Sequence, residues 1–174
     1  MRDILGAAGS GVSLAVINQQ QQQKAIDACV YNLLTEQEAS IVLVSLTQTS
    51  KTLLSKYKNK KLFIIDGASQ SALAQENIFY AGNEGNLTKI QIALEKALEK
   101  TKNAIIIIDS LNLLSVYNPA KEITKFIYLF ANKTQLEDNS AILIASKDAM
   151  DQKTIESIKG FCDRVFDYSK LSSI

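Results

Sequence analysis

The feature that most constrains the fold is a series of short apolar runs, rich in β-branched residues, that recur along the chain. Continuous runs of this length are typical of strands that are covered on both faces, and such strands belong to parallel sheets. The predicted strands are Val12–Ile17, Ile41–Ser45, Leu62–Asp66, Ala104–Asp109, Ala141–Ser146 and Arg164–Phe166.

Helical patterns lie between these runs. The predicted helices are Lys24–Glu36, Ser50–Tyr57, Leu87–Lys100, Pro119–Gln135 and Gln152–Lys159, with Asn86 as the cap of the third and Pro119 in the first turn of the fourth. Only Gly67–Asn86 has no firm assignment, and it contains a candidate short strand at Ile78–Tyr80. Strands that alternate with helices predict a three-layer α/β/α sandwich with a mostly parallel sheet, formed by residues 1–174 as a single domain.

Composition narrows the chemistry that this chain can perform. There is no histidine, which excludes Ser-His and Cys-His nucleophiles and His-ligated zinc. The 19 Lys and Arg residues nearly balance the 18 Asp and Glu residues, so we expect no nucleic-acid partner. Cys29 and Cys162 form neither a CxxC motif nor a disulfide framework and are predicted to be reduced core thiols, which favours a cytoplasmic location. No apolar run is long enough to cross a membrane.

The segment after the first predicted strand has the spacing of a phosphate-binding P-loop. That motif, G-x-x-x-x-G-K-[ST], lies between a strand and a helix, and its glycines let backbone amides wrap around the phosphates. Here Asn18 and Gln23 stand at the two glycine positions, Lys24 is in register with the motif's lysine, and Ala25 replaces the magnesium-binding hydroxyl. The lysine is retained, but the cradle and the metal ligand are not.

A second motif supports the first. Ala104–Asp109 is an apolar run that ends in an aspartate, as in a Walker B strand, where the aspartate holds magnesium beside the P-loop. Either motif alone is weak evidence. The two in this order within one α/β chain favour a candidate nucleotide site of Asn18, Gln23, Lys24, Ala25 and Asp109.

The sequence as a whole resembles the RecA-like ATPases of the KaiC type, a family widespread in archaea. Lys24 and Ala25 fall on the Walker A Lys-Thr, Ile41–Leu46 is similar to the second strand, and Ile105–Leu114 is the closest local match. The resemblance implies the RecA-like P-loop fold, with ATP and Mg²⁺ as the ligands of an active member. It also implies a pair of glutamates after the second strand, one of which activates the attacking water; here Thr47 and Gln48 stand there, and neither is a carboxylate base.

Because the phosphate cradle, the metal ligand and the base are all changed, we expect a catalytically inactive domain without a resident cofactor. Such a domain acts as an interaction, scaffold or regulatory protein, whose partner is another protein, for example an active paralogous ATPase or a second copy of itself. The alternative is a protein that binds ATP or GTP through Lys24 with little or no hydrolysis.

Two other kinds of site, a phospho-receiver site and a dinucleotide site, fit the sequence less well. A phospho-receiver would use Asp66, Ser110 and Lys147, but it also needs an acidic pair after the first strand, where Asn18 and Gln19 stand. A Rossmann dinucleotide site needs a G-x-G-x-x-G motif, which the sequence does not contain.

Overall fold

The computed structural model describes residues 11–71 and 75–169. The strands are β1 (Val12–Ile17), β2 (Ile41–Ser45), β3 (Leu62–Asp66), β4 (Ile78–Tyr80), β5 (Ile105–Ile108), β6 (Ser140–Ser146) and β7 (Arg164–Asp167). The helices are α1 (Gln22–Glu36), α2 (Ser50–Lys56), α3 (Leu87–Leu98), α4 (Leu111–Tyr117), α5 (Ala120–Leu136) and α6 (Gln152–Lys159), and a 3₁₀ turn (Gln19–Gln21) precedes α1.

The strands form one sheet in the order β4-β3-β2-β5-β6-β1-β7, and each pair of neighbours is parallel. The strands β1, β2 and β6 are buried along their whole length. Since all strands run the same way, the residues that follow them meet at a single carboxyl edge of the sheet. The loops after β1, β2, β3, β5 and β6 lie at this edge.

Helices cover both faces of the sheet. On one face, α1 and α2 contribute buried residues such as Ile26, Leu33 and Leu53 to an apolar cluster. On the other face, α3, α4, α5 and α6 form a second cluster. The chain is therefore the predicted α/β/α sandwich. No helix in the described ranges has the length and apolar character that a membrane crossing requires.

Most of the predicted elements are confirmed, and three details differ. The first helix is predicted to begin at Lys24, but Gln22 and Gln23 already belong to α1, because glutamine has good helix propensity. Pro119 is the N-cap of α5 rather than a first-turn residue. The helix α4 was not predicted, because its seven residues directly follow a strand and show little amphipathic pattern. The predicted Asn86 cap is confirmed by a 3.0 Å hydrogen bond from the amide of Lys89.

Candidate functional site

The backbone between β1 and α1 does not form a phosphate cradle. Asn18 is extended, with φ −77° and ψ 141°, and its carbonyl accepts a 3.0 Å hydrogen bond from the amide of Gln21, which closes the 3₁₀ turn. A P-loop or nest alternates right-handed and left-handed backbone so that successive amides point at one anion. Between residues 18 and 25 no residue has a positive φ. The chain thus passes from strand to helix through one tight turn.

Two glutamine side chains turn back onto the protein at this point. The amide nitrogen of Gln22, a residue that is only 7% exposed, donates to the backbone carbonyl of Asp109 at 3.0 Å. Gln23 donates to a carboxylate oxygen of Asp27 at 3.0 Å. The first contact joins the start of α1 to the end of β5. Gln22 is not predictable as a functional residue from the sequence, since nothing local distinguishes it from the neighbouring glutamines.

Lys24 and Ala25 lie on different sides of α1. Lys24 is exposed to solvent, whereas Ala25 is 7% exposed and belongs to the apolar cluster under α1 and α2. A side chain at position 25 therefore points into the protein core. The position that holds a magnesium ligand in the motif has an apolar environment here.

Asp109 is completely buried, and the loop after β2 encloses its carboxylate. One oxygen accepts from the amide of Leu46 at 2.9 Å. The other accepts from the Thr47 hydroxyl at 2.5 Å, from the Thr47 amide at 3.2 Å and from the Ser45 hydroxyl at 3.1 Å. The Ser45 hydroxyl has a single proton, which it shares with the backbone carbonyl of Gln48 at 2.9 Å. Three donors therefore bind the carboxylate fully, and the fourth is shared.

These contacts decide what Asp109 can do. Burial raises the pKa of Asp109 above its ordinary value, although the hydrogen bonds from Thr47, Leu46 and Ser45 act in the opposite direction. A magnesium ion or its bound water could reach this carboxylate only if the β2 loop released it. In this arrangement the side chain closes the end of β5 against the end of β2.

Gln48, the other residue at the expected glutamate pair, belongs to a polar network on the α1–α2 face. Its side-chain oxygen accepts from the Lys56 amine at 2.8 Å. Lys56 also pairs with Asp27 at 3.1 Å, and Tyr57 donates to the same carboxylate at 3.1 Å. Burial alone would raise the pKa of Asp27, but the hydrogen bonds, chiefly from Lys56, outweigh it and lower this pKa. Thr47 and Gln48 therefore both link structural elements.

A second buried carboxylate, Asp66, is the last residue of β3. It is 1% exposed and accepts from the amide of Ser50 at 2.8 Å, at the start of α2. It also accepts from Ser69 through the amide at 2.9 Å and the hydroxyl at 2.6 Å. Burial would raise the pKa of Asp66, but the hydrogen bonds from Ser50 and Ser69 outweigh it, so the pKa lies below its usual value.

The sheet order separates the residues of the phospho-receiver alternative. Asp66 ends β3 and Ser110 lies after β5, with β2 between these two strands. Lys147 lies after β6, which is one strand further on. Neighbouring strands are about 4.8 Å apart, so β3, which ends at Asp66, and β6, which leads to Lys147, are separated by about 14 Å. Ser110 caps α4 by accepting from the amide of Leu113 at 3.4 Å. This geometry does not favour a receiver site.

The fold is that of known structures, and the comparisons also identify a family. A KaiC-like protein of Pyrococcus horikoshii is 16% identical, with a TM-score of 0.64, and the alignment covers 93% of this chain and 74% of that one. The flagellar accessory protein FlaH of Methanocaldococcus jannaschii is also 16% identical, with a TM-score of 0.60 and coverage of 95% and 76%. These structures confirm the RecA-like, KaiC-type fold.

The sequence comparisons point to a related group. Among curated proteins no sequence matches significantly. A family model described as Elongator subunit Iki1 matches residues 12–152, from the first residue of β1 to the first residue of α6. Because that match spans most of the chain, the protein belongs to the Elongator subunit Iki1 family.

Proposed function

We propose that this protein is a non-hydrolysing subunit of a protein assembly, in which a RecA-like fold serves for interaction rather than for catalysis. The observation that carries the proposal is the fully buried carboxylate of Asp109, which accepts hydrogen bonds from Ser45, Leu46 and Thr47. Phosphoryl transfer by this fold needs that aspartate for magnesium, a glycine-rich cradle for the phosphates and a residue that positions the nucleophile. The contacts at each of these positions support a structural role.

Family membership supports the interaction role. The family is described as a subunit of Elongator, which suggests that this chain also works within a complex of several proteins. We infer that its partners are other proteins, such as a paralogous RecA-like subunit or a second copy of this chain. A tagged chain purified from its source organism under native conditions should then elute at a mass well above its 19.1 kDa, together with stoichiometric partners. Elution of the monomer alone would contradict the proposal.

The catalytic half of the proposal has its own test. The purified protein is incubated with Mg²⁺ and radiolabelled ATP or GTP, and the released phosphate is compared with that from a Lys24→Ala variant. We expect both proteins to match the enzyme-free blank. Turnover by the wild-type protein that the Lys24→Ala substitution removes would overturn the proposal.

A second candidate, nucleotide binding without hydrolysis, has one observation in its favour. Lys24 is exposed in the first turn of α1, a helix of 15 residues, where its charge and the helix dipole both attract an anion. A ligand at about a hundred times its Kd stabilises a protein by roughly 2.7 kcal/mol. A rise in Tm with millimolar ATP, lost in Lys24→Ala, would support this candidate. An unchanged Tm would contradict nucleotide binding, and interaction would then be the one proposed role.

A further inference from the structure

We propose that the outer edge of β4, together with the adjoining face of α3, binds an extended segment of a partner protein in which acidic and apolar residues alternate. The inference rests on the proposed role as a subunit and names one of its contact surfaces. We call this surface the β4 edge; it consists of Ile78, Tyr80, Lys89, Ile92 and Lys96.

The backbone of β4 directs hydrogen-bonding groups to the side away from β3. In the described part of the sheet, β4 is a terminal strand with β3 as its one neighbour. The carbonyl of Asn77 and the amide of Ala81 bond to β3 at 2.8 Å and 2.9 Å. Since successive residues of a strand point to opposite sides, the amide and carbonyl groups of Ile78 and Tyr80 point away from β3. The Ile78 amide donates to the carbonyl of Gln75 at 3.2 Å. An added strand could pair with the Tyr80 amide and with the two carbonyls.

A notch of about 310 Å³ lies beside this edge, between β4 and α3. Its apolar lining includes Ile78, Ile92 and Ala93, and the exposed fractions of Tyr80 and Ile92 are 39% and 48%. Ile78 packs in the cluster under α1 and α2, whereas Phe79 packs against the cluster of α3, so the side chains of Ile78 and Tyr80 lie on the sheet face away from α3. An extended segment that pairs with β4 would direct every second side chain to that face, where apolar residues would cover the exposed surface of Tyr80.

The charged residues that line the notch favour acidic side chains at the other positions of the bound segment. Lys89 and Lys96 line it, both are exposed, and no carboxylate is among the lining residues. They lie seven residues apart on α3, on the same side of the helix, so that two cations run alongside the strand. Acidic side chains that alternate with apolar ones would lie near these amines.

The site is held in place before any partner binds. The Lys100 amine donates to the carbonyl of Glu76 at 2.9 Å and lies 5.5 Å from the centroid of the Phe79 ring, which fastens β4 to α3. The same contact occupies a face of Phe79 that could otherwise stack on a base. An outward strand edge and an apolar notch suit a polypeptide backbone, whereas a single-stranded nucleic acid would need free aromatic faces.

The test uses a fluorescein-labelled peptide of about nine residues, the length of a long strand, in which aspartate alternates with valine. It is titrated by fluorescence polarisation without nucleotide, so that the outcome is independent of the hydrolysis assay. We expect saturable binding, no binding of the matched lysine–valine peptide, and affinity about tenfold weaker after the double substitution Lys89→Glu, Lys96→Glu. The matched control, Lys121→Glu with Lys125→Glu on the exposed side of α5, should bind as the wild type does.

A backbone variant separates strand pairing from charge attraction. Tyr80→Pro removes an outward-pointing amide from an edge strand, a position that tolerates proline, and should abolish binding while the thermal melt stays cooperative. In the wild-type protein, the amide resonance of Tyr80 should shift on peptide addition. Equal binding of both peptides, or binding unaffected by the Lys89 and Lys96 substitutions, would overturn the proposal. So would preferential binding of a polyuridine oligonucleotide at these lysines, which would assign the surface to nucleic acid.

Discussion

The hydroxyl of Thr47 donates to Asp109 Oδ2 across 2.5 Å, so that a residue at the expected position of a catalytic base is bonded to the aspartate expected to hold magnesium. The two residues lie 62 positions apart in the sequence, at the ends of the neighbouring strands β2 and β5. Their contact joins the ends of these two strands.

This link makes a prediction about stability. Asp109→Ala should lower the free energy of unfolding by about 3 kcal/mol, because the buried amides of Leu46 and Thr47 lose their acceptor. Thr47→Val should cost about 1–2 kcal/mol through the lost hydroxyl, whereas Thr47→Ser keeps the donor and should cost less. Urea denaturation measures all three. Loss of less than about 1 kcal/mol in Asp109→Ala would show that these hydrogen bonds are not needed.

The role of Gln22 can be separated from that of its neighbours. Gln22→Ala removes a buried side chain and its hydrogen bond to the Asp109 carbonyl, and should lower the free energy of unfolding by about 1–2 kcal/mol. Gln20→Ala is the matched control, since Gln20 is exposed in the 3₁₀ turn. It should change stability by less than about 0.5 kcal/mol. Equal effects of the two substitutions would mean that the Gln22 contact contributes nothing.

A hydroxyl introduced at position 25 should not give the protein hydrolytic activity. Ala25→Thr recreates the Lys-Thr pair of the motif, but position 25 points into the core, so the variant should lose about 1–3 kcal/mol of stability and gain no Mg²⁺-dependent hydrolysis. Ala28→Thr, at a half-buried position of the same helix, should cost less. Phosphate release and urea denaturation measure the two effects. Hydrolysis by Ala25→Thr would show that the loop can still hold a nucleotide.

Asp66 should make stability depend on acid pH. Its pKa is lower in the folded protein than the unfolded value of about 3.9, so its stabilising contribution is present above that value and is lost as the pH falls through the folded pKa. Asp66→Asn should cost about 2 kcal/mol at pH 7, because an amide cannot accept at both ends. The difference from wild type should shrink as the pH falls below the unfolded pKa and through the folded pKa, where Asp66 becomes protonated. A difference that stays constant in urea denaturation would contradict this account.

The strands could be predicted from sequence because each buried parallel strand is a continuous apolar run, and Ile41–Ser45 is an example in which both ends agree with the structure. Helix α4 could not, since its short length gives no periodicity to detect. The identity of Asp109 as a strand-end carboxylate was predictable, but its partners were not, because Leu46 and Thr47 reach it through the sheet order rather than through neighbouring sequence. The resemblance to KaiC-type proteins predicted the fold and missed the Iki1 family, which shares it.

The central claim is that Asp109 serves the β2 loop and not a metal–nucleotide complex. A ¹H–¹⁵N correlation spectrum, titrated with MgATP to millimolar concentration, reports directly on the amides of Leu46 and Thr47, which donate to this carboxylate. The account predicts that both resonances stay in place, even if amides near Lys24 move. Saturable shifts of the Leu46 and Thr47 amides that require Mg²⁺ would show that Asp109 exchanges its loop contacts for the metal, and would contradict it.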